Sequence, residues 1–132
     1  MMGGFSLAVH GGAGVLHRNQ MTPEREAEYR AALDRALSAG EAVLDTDGSA
    51  LDAVTQAVCA LENEPLFNAG RGAVFTRDKQ QEMDASLMDG RNRKAGAVAG
   101  IFGPRNPILA ARSVLENTGH VLMIGEGALA VA

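Results

Sequence analysis

The stretch Glu82-Met83-Asp84-Ala85-Ser86-Leu87-Met88-Asp89-Gly90-Arg91-Asn92, with Ala95 to Phe102 behind it, decides how the rest of this chain is read. Two partly alternating runs flank the turn formers Asp89-Gly90-Arg91-Asn92, which is the pattern of successive strands in an antiparallel arrangement. Ala73-Val74-Phe75-Thr76, set off by Asp78-Lys79, reads as a further strand just upstream. Before these strands the period is helical. Thr22-Pro23-Glu24 supplies an N-cap hydroxyl, a proline for the first helical position and an acid in the first turn. Tyr29, Leu33, Ala36, Leu37, Val43 and Leu44 then continue a long amphipathic helix to Asp47-Gly48. Ser49 with Asp52 makes an approximate capping box for a second helix, whose apolar face is Leu51, Val54, Val58 and Leu61, closed by Pro65.

Outward from this centre, Asn106-Pro107 caps a third helix with Leu109, Ala110, Val114 and Leu115, ended by Asn117-Thr118-Gly119. His120-Val121-Leu122-Met123-Ile124 reads as a buried strand, and Gly125-Glu126-Gly127 begins a helical run that stops at Ala132. At the other end, Phe5-Ser6-Leu7-Ala8-Val9 is a short strand running into His10-Gly11-Gly12-Ala13-Gly14, where the backbone can turn sharply. With no internal repeat and no linker, residues 1–132 are expected to form a single domain of α+β class, a layered mix whose continuation is missing.

Composition removes several function classes. Apolar residues are 46% and charged residues 21%, ordinary globular usage, so the chain is expected to fold. Net charge is −4 with the basic residues scattered, which offers no electrostatic footprint for nucleic acid. Met1-Met2-Gly3-Gly4 lacks a basic region followed by a long apolar stretch, and no segment reaches the roughly 18 apolar residues that span a bilayer. The expectation is a soluble, cytoplasmic protein with no membrane partner. The one cysteine, Cys59, allows no intrachain disulfide and reads as a small buried hydrophobe. His10, His17 and His120 are far apart, so no zinc spacing is present. The glycine loop lacks G-x-G-x-x-G and a P-loop lysine, which weakens a phosphate-binding reading, and no G-x-S-x-G elbow supports an esterase.

Several segments together resemble one family. They are the strand into His10-Gly11-Gly12-Ala13-Gly14, then Pro65-Leu66-Phe67-Asn68-Ala69-Gly70-Arg71-Gly72-Ala73-Val74-Phe75-Thr76, Met83 to Gly90, Ala95 to Gly100, and Asn106-Pro107-Ile108-Leu109-Ala110-Ala111-Arg112. They look like the α-subunit of plant-type (class 2) L-asparaginases and isoaspartyl aminopeptidases, which are N-terminal-nucleophile hydrolases. The resemblance implies an αββα sandwich, of which this chain is an incomplete N-terminal part. It also implies a precursor that cleaves itself and a β-subunit whose new N-terminal threonine attacks a small-molecule substrate, L-asparagine or a β-aspartyl dipeptide. The free α-amino group of such a threonine can serve as base for its own hydroxyl. An (αβ)2 assembly is implied as well.

None of Thr22, Thr46, Thr55, Thr76 and Thr118 lies in the Gly-Thr-Val-Gly type of segment that holds the family's nucleophile, so the catalytic threonine is expected beyond Ala132 and the chain alone is expected to be inactive. What the resemblance assigns here is support. The loop from Leu61 to Arg71 is similar to one that wraps a structural sodium ion through main-chain carbonyls matching Leu61, Glu62, Glu64, Phe67, Ala69 and Arg71. No organic cofactor is implied. Asn68 matches a position whose amide orients the threonine, its plainer role being a turn former beside Gly70. Gly11 and Gly12 match the glycine loop beside the scissile segment, and His10 reads as a hydrogen-bonded structural histidine. The chief rival is a non-catalytic fragment whose unpaired sheet favours self-association.

Overall fold

The structure is a computed structural model and describes residues 4–14 and 17–131; the start at Met1–Gly3 and the terminal Ala132 lie outside the described residues. Helix α1 spans Pro23–Leu44 and opens as its signals require, with the Thr22 side chain accepting from the Arg25 N–H. Helix α2, Ala50–Glu62, is capped by Ser49, which accepts the Asp52 N–H at 3.0 Å and donates to its carboxylate at 2.7 Å. The two helices pack through small residues. Ala32, Ala36 and Gly40 of α1 and Ala53 and Ala57 of α2 are buried, and a Cβ on Gly40 would stand 3.0 Å from the Ala53 carbonyl oxygen. Within α2 the sequence favoured Val54, which is instead exposed, because such close backbones leave room only for the alanine stripe.

Strands β1 (Met83–Asp89) and β2 (Lys94–Ile101) pair antiparallel, as expected. The turn between them is tied by Asp89, whose carboxylate accepts the Arg91 N–H and pairs with its guanidinium, and by Arg93 at φ 61°. The register slips between Met83 and Ala85, leaving one extra residue on β2. Gly100 (φ 62°) occupies this bulge, and Asp84 Oδ1 accepts its N–H at 2.8 Å. Helix α3, Pro107–Asn117, covers the sheet, and Gly96 of β2 lies against it so closely that a Cβ would collide with Ala111 and Leu115. Val98, Ile101, Ile108, Ala111 and Val114 form the centre of the core, and α4 (Gly125–Leu129) adds Ala128.

Four further expectations need correction. Phe5–Val9 is no strand, and Ala73–Thr76 is none either. A strand needs a ladder partner, and side chains take that place downstream: Asn68 Oδ1 accepts the Val74 N–H and Gln81 Nε2 donates to the Ala73 carbonyl. The N-terminal segment instead rests on α1, with Leu7 against Gly40. Asn106 does not cap α3 with its side chain; the buried Glu62 carboxylate does, accepting the Ile108 N–H at 2.9 Å and the Asn106 amide at 3.1 Å. A carboxylate at a helix N-terminus gains from both the free N–H groups and the helix dipole. The last strand, β3, shortens to Leu122–Ile124, parallel to β2, and is exposed where burial was expected, because β2 is its sole neighbour in the sheet among the described residues.

Candidate functional site

Two segments remote in sequence meet in one cleft of about 450 Å³, where His10–Gly14 faces Leu66, Phe67, Asn68 and Ala69, with Tyr29 of α1 at its side. Phe67 joins the two walls. Its buried ring lies 6.1 Å from that of Tyr29, tilted by 58°, and a Cβ built on Gly11 would come within 2.8 Å of Phe67 and 3.1 Å of Leu33. Only glycine fits there without displacing the ring. Gly12 has φ 114°, a backbone shape that L side chains rarely adopt, and its N–H donates to His10 Nδ1 at 2.8 Å.

Asn68 is exposed in the same cleft. Its Oδ1 is committed to the Val74 N–H at 3.0 Å, which fixes which branch of the amide is which. The NH2 branch has no hydrogen-bond partner among the described residues. The turn-forming role and a donor role are therefore compatible in one side chain. Of the residues lining the cleft, His10 and Tyr29 alone have ionisable side chains, so no acid–base pair is assembled there among the described residues.

Behind Asn68, the loop from Leu61 to Arg71 closes on the turn Gly70–Gly72. The carbonyls of Glu64, Phe67, Ala69 and Arg71 each accept one hydrogen bond, from Phe67, Ala69, Gly72 and the Gln81 side chain, and that of Leu61 accepts from Glu64 and Asn63. The first four each keep a second lone pair. The oxygens of Glu62 and Phe67 face the glycines: a Cβ on Gly70 would stand 2.5 Å from Glu62 O, and one on Gly72 would overlap Phe67 O. Among the described residues no group of three or more His, Cys, Asp or Glu side chains could hold a metal ion.

The threonine hydroxyls are otherwise engaged. Thr46, Thr55 and Thr118 bond to carbonyls of their own helices, Thr22 caps α1, and Thr76 accepts the Gln80 N–H. Cys59 is half-buried, and desolvation pushes its thiol up to about 11, far from a nucleophilic thiolate at neutral pH. Burial likewise raises the Glu62 carboxyl, against the lowering effect of the Ile108 N–H and the Asn106 amide. Sequence reasoning missed the side chain of Glu62, the place of Tyr29 and the bond between His10 and Gly12. For the last a signal existed, since a side-chain acceptor and an N–H two residues on is the spacing of an Asx turn. No helix among the described residues is long and apolar enough to cross a membrane.

A sequence model of the family described as asparaginase matches residues 3–132. The isoaspartyl peptidase of Escherichia coli is 55% identical over 127 residues, which are 96% of this chain and 40% of that protein. The plant-type L-asparaginase of Thermococcus kodakarensis is 50% identical over 127 residues, again 96% of this chain and 40% of the relative. The isoaspartyl peptidase/L-asparaginase of Xenopus laevis is 48% identical over 122 residues, 92% of this chain and 38% of the relative. The chain thus spans 35–40% of the length of the curated relatives it matches.

Proposed function

The chain belongs to the asparaginase family, and from that premise we propose that it is the N-terminal, non-nucleophilic portion of an amidohydrolase that cleaves L-asparagine and β-aspartyl dipeptides. The observation that carries this reading is the shared cleft, which the glycine loop, Phe67 and Asn68 line together, the Asn68 NH2 branch being without a hydrogen-bond partner among the described residues. A hydrolytic centre needs a nucleophile and a base, and the cleft offers a donor and a shaped backbone instead. In this reading it is one wall of an active site.

The nucleophile is then a threonine at the start of a β-subunit made from the same precursor, its own α-amino group taking the hydroxyl proton as the oxygen attacks the amide carbon. The Asn68 NH2 donates to that hydroxyl and fixes its direction. Gly11 and Gly12 let the loop lie flat beside the segment that is cut when the subunits separate. The carbonyls of Leu61, Glu62, Glu64, Phe67, Ala69 and Arg71 would hold a sodium ion, whose charge stiffens the loop that carries Asn68. The complete fold in this proposal is an αββα sandwich assembled as (αβ)2, in the cytoplasm, and residues 1–132 alone are inactive. That the five threonines are caps or bonded within helices and turns supports the last point.

The test is to express the protein from its complete reading frame and to measure aspartate release from L-asparagine and from a β-aspartyl dipeptide, alongside N-terminal sequencing of every chain. Turnover with a second chain beginning at threonine is the expected result. Turnover by residues 1–132 alone, or none by the complete product, sinks the proposal.

A further inference from the structure

The bond from the Gly12 N–H to His10 Nδ1, 2.8 Å long, spans two residues, the place an Asn or Asp Oδ1 takes in an Asx turn. For Nδ1 to accept, the ring must be neutral and carry its proton on Nε2. The N–H in question belongs to the peptide between Gly11 and Gly12. In a trans peptide the C=O points opposite to the N–H, so turning the N–H toward His10 turns the Gly11 carbonyl away from it. Glycine at φ 114° has little preference of its own for this orientation over its alternatives, and an added constraint is needed to select one. Two constraints converge on the peptide. At Gly11, Phe67 and Leu33 leave no room for a side chain, and at Gly12 the imidazole holds the N–H.

We propose that His10 is a positioning residue that sets the orientation of the Gly11–Gly12 peptide in the cleft through the Nδ1 lone pair. The inference rests on the reading of the cleft as one wall of an amidohydrolase site, and it gives the imidazole a task distinct from proton transfer. What matters is an acceptor at the Nδ1 position, whatever chemical group supplies it.

Three substitutions in the protein expressed from its complete reading frame separate this role from others. His10→Asn places Oδ1 where Nδ1 was, His10→Gln moves the amide oxygen to the Nε2 position, and His10→Phe keeps a planar ring with no acceptor. One hydrogen bond of ordinary net strength corresponds to a change of about fivefold in how often the peptide holds the right orientation. Self-cleavage and kcat for a β-aspartyl dipeptide should therefore fall about fivefold in His10→Gln and His10→Phe, and less than about twofold in His10→Asn, with KM steady within about twofold. A 15N–15N coupling across the hydrogen bond between Gly12 N and His10 Nδ1 should be present in the unsubstituted protein. The inference is overturned by absence of that coupling, by His10→Asn falling as far as His10→Gln, or by effects confined to KM. If His10→Phe does not fold, the contrast of Asn with Gln decides alone. Should the unsubstituted protein release no aspartate, it is the amidohydrolase reading that fails.

Discussion

The two sides of β2 make an instructive pair. Toward β1 it has a long antiparallel partner, a bulge with its own side-chain bond at Gly100, and the buried side chains Met83 and Leu87. Toward β3 it has three parallel pairs, in which Leu122 is 56% and Ile124 67% exposed, with Val121 just before them exposed as well. Met83 and Leu87 on one side and Leu122 and Ile124 on the other are alike apolar. What differs is whether a helix or strand lies over them, so hydrophobicity in a strand reports a capacity for burial and not burial itself.

Substitutions can break this contrast or sharpen it. Ile101→Ala should cost about 3 kcal/mol, the usual loss for an aliphatic side chain removed from a closed core, read as a lowered urea midpoint with an unchanged slope. Gly96→Ala should cost about 2 kcal/mol by forcing β2 from Ala111 and Leu115 of α3. Glu62→Ala should cost about 1.5 kcal/mol, by leaving the buried Ile108 N–H at the start of α3 without its acceptor, and thermal unfolding would show it. At the margin, Ile124→Ser should stay within about 0.5 kcal/mol in residues 1–132. A much larger cost for Ile124→Ser in the complete product would show that the margin is covered there.

The smallest effect concerns pH. The Arg91 guanidinium and N–H hold the Asp89 carboxyl down to about 2, below its unfolded value. A depressed folded pKa stabilises above the unfolded value, near 3.9, and the gain fades as pH falls from there toward 2. Asp89→Asn should therefore flatten the acid limb of the stability profile across that window and lower stability modestly at neutral pH, where the ion pair is intact; the effect stays small because the Arg91 side of the pair is exposed although Asp89 is largely buried.

Helices α1 and α2 and the β1–β2 hairpin were legible because their signals are local. Thr22 and Ser49 cap within one turn, and Asp89 ties its own hairpin turn. Phe5–Val9 and Ala73–Thr76 were misread because a ladder depends on a partner that the segment itself does not specify. Glu62 displaced Asn106 as the cap of α3 through a contact remote in sequence, beyond the reach of any cap rule. Of the candidate site, the resemblance named Asn68 and the glycine segment, and the structure gathers these in one cleft. The donor and acceptor branches of Asn68 emerged only from the Val74 bond.

The order of strands also bears on how quickly the sheet assembles. The β1–β2 pair closes the short turn Gly90–Arg93, whereas pairing Ala97 with Leu122 must first close a loop that contains the whole of α3. Loop-closure entropy rises with length, and hairpins form in microseconds while crossover pairings lag. The hairpin is thus the natural nucleus, and β3 is the last strand to arrive and the first to leave. Hydrogen exchange at Leu122–Ile124 should run ahead of exchange at Val98, marking the time-ordered edge of the molecule.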